Sequence, residues 1–502
     1  MNTLLPQPTA SLGAALKERP LSEWRLSKAH LGFVGSWLLY FLIIAFMPLP
    51  NGMTPSGKAT LAVVVWACIT WVTEAVPIPI TGLQIPILIL MSGAAPDLAT
   101  AANGYTSEAA FICLASFIMA AVIQCVGLDQ RITLGLLHKA RVSTVRGVIW
   151  ALFGVDAILA FIIPGANTRG ALLLPVVNNV NRLFGDTSAE RSAKKAIVIH
   201  SLVYGPMVCG LIVLTSGLQN LVLVDLFKSQ LGIDVSYLDW LLLRWPYLGL
   251  AVITQWWIRR YFRCVETKVP GGIEEIEREY SALPEVSRFE WRASATFALT
   301  ALAWATGSAH HLSSAVVAIL STSILFLPSF LDLDWTRINA RTIWGTYLTL
   351  CGALSVSAAM AKSGLGMWLA GFIYPVAEGH PWWATFLILC VATHIIRLGL
   401  LSNVAAVALF APILLALASR LNLHPIAFTM LVADTNTFAY ILPTQITCGI
   451  IAYGSGTFSV ADYARVGWIT VLITLFYAVL VMVPWYALLG IPMWDPSAPW
   501  PF

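Results

Sequence analysis

Pro164-Gly165-Ala166-Asn167-Thr168-Arg169-Gly170 interrupts an apolar run that begins at Gly147 and resumes over Ala171 to Val180. Neither flanking piece is long enough for a full span, because a helix crossing a hydrocarbon core of ~30 Å needs roughly 20 apolar residues. A helical hairpin that enters the membrane and turns back fits residues 147–181. Arg131, His138, Lys139, Arg141 and Arg146 precede it, and Arg182, Arg191, Lys194 and Lys195 follow. Both ends are therefore expected on the positive, cytoplasmic side. A second stretch of this kind, Leu401-Ser402-Asn403-Val404, separates Trp382 to Leu400 from Ala405 to Ala418 and predicts a second hairpin over 381–418.

Each hairpin is followed by an apolar run with a polar break. Thr215-Ser216-Gly217-Leu218-Gln219-Asn220 interrupts 196–227, and Pro443-Thr444-Gln445-Ile446-Thr447-Cys448-Gly449 interrupts 426–453. Lipid cannot satisfy open backbone, so such a break has to lie inside protein or against a water-filled cavity. Further spans are expected near Leu31 to Met47, Thr60 to Val76, Pro79 to Ala94, Ala109 to Val126, Trp240 to Tyr261, Ala293 to Ala309, Ser313 to Leu331, Ile343 to Ala361 and Val466 to Leu489.

The 502 residues are 58% hydrophobic and 11% charged, against roughly 25% charged in soluble domains. This excludes a soluble enzyme and predicts a polytopic helical protein of a lipid bilayer. The net charge of +4 sits mostly in inter-helix loops, where it reports orientation and carries no signature of nucleic-acid binding. Eight cysteines form no metal or disulfide pattern and read as free thiols. Lys17, Arg19, Arg25 and Lys28 precede the first apolar run without a small-residue cleavage site. A removed signal peptide is thus not expected, and the N-terminus is expected in the cytoplasm.

The halves align. Gly127-Leu128 matches Gly364-Leu365, Asn167 matches Asn403 and Thr215 falls near Thr444, at offsets of 237, 236 and 229 residues. Counted from a cytoplasmic N-terminus, the first hairpin enters from inside and the second from outside. The expected fold is an all-α inverted-repeat secondary transporter with two re-entrant hairpins and two broken helices. Its parts are an N-terminal segment 1–30, scaffold helices 31–103 and 293–340, repeats 104–265 and 341–490, a cytoplasmic connector 266–292 and a tail 491–502.

A helix that begins in mid-membrane presents unpaired N–H groups and a partial charge of roughly +0.5, and so attracts anions. Half-helices are expected to begin after Thr168, Asn220, Asn403 and Gly449. Asn167, Thr168, Ser402 and Asn403 are the short polar types that cap such ends and bond carboxylates. Arg169 adds a full charge with a forked geometry suited to an oxyanion, and unwound carbonyls nearby suit a cation. Any one such Ser, Thr or Asn is more commonly an inter-helix hydrogen bond; it is the paired placement that points to solute binding. Asp156, His200, His394, Arg397 and Asp434 are ionisable at membrane depth. Arg397 needs an anionic partner or a wet surface, which Asp434 or Asp156 would supply as a structural pair; a role in proton or substrate coupling is the alternative.

At these residues the chain resembles the divalent anion:sodium symporter family, solute carrier family 13 and bacterial relatives such as the citrate:succinate exchanger. Thr73-Glu74-Ala75-Val76-Pro77-Ile78-Pro79-Ile80-Thr81 is similar to that family's Thr-Glu-Ala-x-Pro segment. The match continues through both tips, Ile450 to Gly456 and Asp462 to Gly467. The family's tips read Ser-Asn-Thr; here they read Ala166-Asn167-Thr168 and Ser402-Asn403-Val404. The resemblance implies substrate binding by Asn167, Thr168, Ser402 and Asn403, joined by Thr215, Ser216, Thr444 and Gln445, with sodium near Asn167 and Asn403. It also implies a homodimer and elevator-type alternating access for di- or tricarboxylates in a bacterial inner membrane. Ala166 removes an oxygen ligand and Arg169 supplies fixed charge, which favours an exchanger or a weakly sodium-dependent carrier. Rivals are a sodium-coupled sulfate-type carrier and a cation or proton antiporter on a related fold. A membrane enzyme would need a clustered nucleophile or metal motif, and the sequence holds none; no other cofactor is implied.

Overall fold

The computed structural model describes residues 27–141, 143–264, 267–400 and 402–502, which leaves the N-terminal basic residues up to Arg25, Glu266 at the start of the connector, and Leu401 outside the described residues. Every regular element described is helical, apart from one antiparallel bridge between Thr144 and Lys268. Among the described residues, six helices are long and apolar enough to cross a membrane: Lys28–Phe46, Pro55–Thr73, Glu108–Val126, Ser188–Ile212, Asn403–Arg420 and Val460–Leu488. Several expected spans are shorter. Pro79 to Ala94 becomes Ile78–Met91, started by a proline in its first turn, and Ser313 to Leu331 becomes Ser314–Leu325.

Two helix–turn–helix units stand where the sequence breaks. The first joins Val145–Ala160 to Ala166–Arg182. Thr144 caps its start by accepting from the Gly147 N–H at 3.1 Å, and Gly165 turns the chain at φ +81°. That left-handed backbone is one that side-chain-bearing residues rarely adopt. The second unit joins Trp382–Arg397 to Asn403–Arg420, whose N-cap Ser402 accepts from the Ala405 N–H at 3.3 Å.

The runs that follow are broken as expected, with shifted boundaries. Ser188–Ile212, with a π turn over His200–Tyr204, gives way to a 3-10 turn at Leu214–Ser216, and Leu218–Leu231 restarts the helix. Pro425–Thr437 passes through non-helical backbone to the 3-10 turn Pro443–Gln445, and Thr447–Tyr453 follows. The restarts at Ala166, Leu218 and Thr447 precede the expected ones. Asn167, Thr168, Arg169 and Asn220 are therefore first-turn residues of their helices, not the links before them. Gly217 has no room for a side chain: a Cβ there would sit 2.3 Å from the Gly210 carbonyl oxygen.

Ile78–Met91 crosses Trp344–Lys362 so closely that a Cβ on Gly352 would lie 2.4 Å from the Gly82 Cα. This pair forms one wall of the cavity described below. The expected connector loop carries a helix, Gly272–Ser281. It is held to the first repeat by Tyr280 stacked on His138 at 4.4 Å, by Asn179 donating to Glu279 at 2.8 Å, and by an Arg131–Glu290 ion pair at 2.7 Å.

Candidate functional site

Both tips and both breaks meet at one cavity of about 320 Å³. Asn167, Gln219, Ser402, Asn403 and Thr447 line it, and Glu74 and Thr346 close it from the crossing pair's side. The polar linings come from the starts of helices. Asn167 belongs to the first turn of the 17-residue helix Ala166–Arg182, Gln219 to that of the 14-residue helix Leu218–Leu231, and Asn403 opens the 18-residue helix Asn403–Arg420. Three macrodipoles thus end at one space, each worth roughly +0.5 charge. Thr447 joins them from the second break. The volume lies in the ~300–1,000 Å³ range of small-ligand pockets.

The sequence-derived residues separate into those that line the cavity and those that support it. Asn167, Ser402 and Asn403 line it; Thr168, Thr215, Ser216, Thr444 and Gln445 do not. Thr215 is buried with its hydroxyl 3.5 Å from that of Tyr237, and Gln445 is buried and accepts from the Leu442 N–H at 2.8 Å. Gln219, Thr447 and Glu74 lie on the wall without having been assigned to it. Glu74 stands inside the Thr73–Thr81 segment that carries the resemblance, which is the one signal that pointed to it.

Arg169 does not reach the cavity, contrary to the expectation that it binds the anion. Its side chain is fully buried behind the first tip. Nε donates to Asp156 at 2.8 Å, Nη1 to the carbonyls of Ile163 at 3.1 Å and Ser216 at 3.3 Å, and Nη2 to that of Pro206 at 2.9 Å. With every nitrogen engaged and its charge paired, Arg169 fastens the tip to the first broken helix. The Ser216 carbonyl also accepts from the Gly165 N–H at 3.0 Å.

Arg397 takes the mirrored post at the second tip, and its partner is neither of the carboxylates the sequence offered. Nη1 donates to the Leu400 carbonyl at 3.0 Å, and Nη2 donates to the Gln445 carbonyl at 3.1 Å and to Asn403 Oδ1. Asp156 is committed to Arg169, and Asp434 to Arg244 at 2.7 Å, with that guanidinium 3.5 Å from the Trp240 ring centroid. Arg244 was not singled out in the sequence because it sits at the edge of an apolar run. His394 Nδ1 bonds the carbonyl of Cys390 one turn earlier at 2.8 Å, a helix contact away from the cavity. Asn167 Oδ1 accepts from the Cys448 thiol at 3.1 Å, which ties the first tip to the second break. All eight cysteines are unpaired.

The family model described as the sodium:sulfate symporter transmembrane region matches residues 32–492. A membrane protein of Cupriavidus necator is 28% identical over 446 residues, covering 85% of this chain and 86% of its own. The sodium-dependent dicarboxylate transporter SdcS of Staphylococcus saprophyticus is 24% identical over 470 residues, covering 88% and 89%. Among solved structures, the Neisseria gonorrhoeae efflux pump MtrF superposes with a TM-score of 0.59 at 14% identity, over 95% of this chain and 98% of its own. The Alcanivorax borkumensis YdaH transporter gives 0.54 at 15%, over 86% and 99%. At those identities the likeness is one of fold.

Proposed function

Since the chain belongs to the sodium:sulfate symporter transmembrane-region family, and is accordingly a membrane transport protein and not an enzyme, we propose that it carries small organic dianions of the succinate or malate class. The observation that supports this reading is the meeting of three helix starts, with Asn167, Gln219, Ser402 and Asn403 at their tips, around one small cavity. Amide and hydroxyl donors on converging positive dipole ends suit a carboxylate and repel a cation. A cation or proton antiporter would instead want carboxylates there, and Glu74 is the cavity's lone acidic lining residue among the described residues.

In this proposal the tips lie near the bilayer midplane as re-entrant hairpins of opposite orientation, and the hairpin-and-broken-helix units shift against the crossing scaffold pair. A homodimer in a bacterial inner membrane, with a cytoplasmic N-terminus and tri- as well as dicarboxylates accepted, belongs to the same reading. Inorganic sulfate is the second reading, favoured by the description of the family. The SdcS relatives are named as sodium-dependent, which makes the coupling ion a separate question.

Asn167→Ala and Asn403→Ala are each expected to lower succinate uptake into proteoliposomes about ten-fold or more, since each loses a charge-assisted hydrogen bond of ~1.5–3 kcal/mol to the anion. Both variants are expected to keep normal expression and elution. Undiminished uptake by both would remove the site. Uptake of sulfate but not succinate by the unaltered protein would select the second reading.

A further inference from the structure

Broken helices in inverted-repeat transporters leave unwound carbonyls and half-helix C-terminal ends that coordinate coupling cations. In this chain two clusters of such oxygens receive arginine side chains. The carbonyl closing the first arm of hairpin one, Ile163, and the carbonyl in the first break, Ser216, both receive Arg169, together with Pro206 O and Asp156 Oδ1. The carbonyl closing the first arm of hairpin two, Leu400, and that in the second break, Gln445, both receive Arg397, together with Asn403 Oδ1. Beside the first break, the carbonyls of Gly210 and Val213 accept from the Asn220 amide at 2.8 and 3.1 Å.

Ile163 and Leu400 are 237 residues apart and Ser216 and Gln445 are 229 apart, so the two oxygen clusters are repeat equivalents. The arginines that fill them are not equivalent in sequence. Arg169 stands in the second arm of its hairpin and Arg397 in the first arm of the other. Two side chains from unrelated positions thus end on matching pairs of carbonyls. A guanidinium does not release its proton in proteins. A sodium ion, which the family's description implies, would have to expel a fixed cation from each cluster, so these residues do not fit it.

We propose that Arg169 and Arg397 are built-in cations that take the places of coupling ions, and that transport by this chain is sodium-independent anion exchange. This rests on the tips being the anion site. The two charges play different parts. Asp156 neutralises Arg169, whereas Arg397 has no carboxylate in ion-pairing range among the described residues and adds one positive charge beside Asn403. A symporter discharges its cations with its substrate and returns neutral. Here the charge of Arg397 stays behind, and carrying it across without an anion leaves a buried charge uncompensated. The return step therefore requires a second anion.

Thermal melting of the full-length protein in detergent tests this, with sodium chloride titrated against choline chloride at constant ionic strength. The ligand-free protein is expected to melt at the same temperature in both salts; a sodium-specific rise would overturn the proposal. Arg397→Ser opens the cluster of Leu400, Gln445 and Asn403, and is expected to acquire a sodium-specific rise, as is Arg169→Ser, which leaves Asp156 as a ligand. Folded forms of both variants that ignore sodium would also overturn it. In proteoliposomes, counterflow of labelled succinate against internal succinate is expected to differ less than about two-fold between the salts, and strong sodium acceleration would count against exchange. If succinate, citrate and sulfate all fail to stabilise the protein in either salt, the anion reading fails, while the ligand-free titration still judges the arginines.

Discussion

Replacing Asp156 by alanine is expected to destabilise the protein by about 3–5 kcal/mol, the usual consequence of removing one partner of a buried ion pair. Arg169 would keep its three carbonyl contacts but lose the charge that balances it, at a site shut off from solvent on all sides. Because the same guanidinium joins Ile163, Pro206 and Ser216, the loss falls on the contact between the first tip and the first broken helix. The melting temperature in detergent reads the loss. The paired change Asp156→Leu with Arg169→Met removes both charges and is expected to recover most of the stability, because a buried pair exchanged for apolar groups is often neutral or better. An unshifted melting temperature in Asp156→Ala would show that the pair holds nothing in place.

Gly467→Ala is the second large effect. A Cβ at that position would lie 1.7 Å from the Tyr440 carbonyl oxygen, and both contacting groups are anchored backbone. The added methyl has to push Val460–Tyr477 away from the non-helical segment that links Thr437 to Pro443. That segment positions the second break, where Tyr440 packs on Tyr204 at 4.4 Å between ring centroids. Overpacking of a tight contact costs about 1–3 kcal/mol and sometimes more; with backbone on both sides, the upper end is expected, together with a loss of succinate uptake. Gly154→Ala is the contrast, since its Cβ meets nothing within 4 Å. It should be tolerated and gain up to ~1 kcal/mol of helix stability. Equal behaviour of the two variants, followed by melting and uptake, would refute the close approach.

Much of the architecture was legible because the membrane makes local sequence informative. A polar, glycine-containing interruption in an apolar run has few ways to exist at membrane depth, so 164–170, 215–220, 401–404 and 443–449 declared breaks before any contact was known. The tip residues Asn167, Ser402 and Asn403 followed from the same reasoning, as N-terminal residues of helices. Boundaries were less legible. Gly165 turns the chain at positive φ and Gly217 admits the Gly210 carbonyl close by, and the helices restart a residue or more ahead of where hydropathy placed them.

The amino-acid sequence by itself thus determined an all-helical membrane protein with two hairpins, two broken helices and asparagines at the turning points. Hydropathy and backbone chemistry act over one or two turns of helix, and such features need nothing more. Only the tertiary structure decided which charges face which. Arg244 meets Asp434 across 190 residues and Arg397 reaches Gln445 across 48. Arg169 turns away from the cavity that Gln219, Thr447 and Glu74 help to enclose. A buried charge is held by whichever oxygens the packing brings within 3 Å or so, and spacing along a chain does not encode that choice.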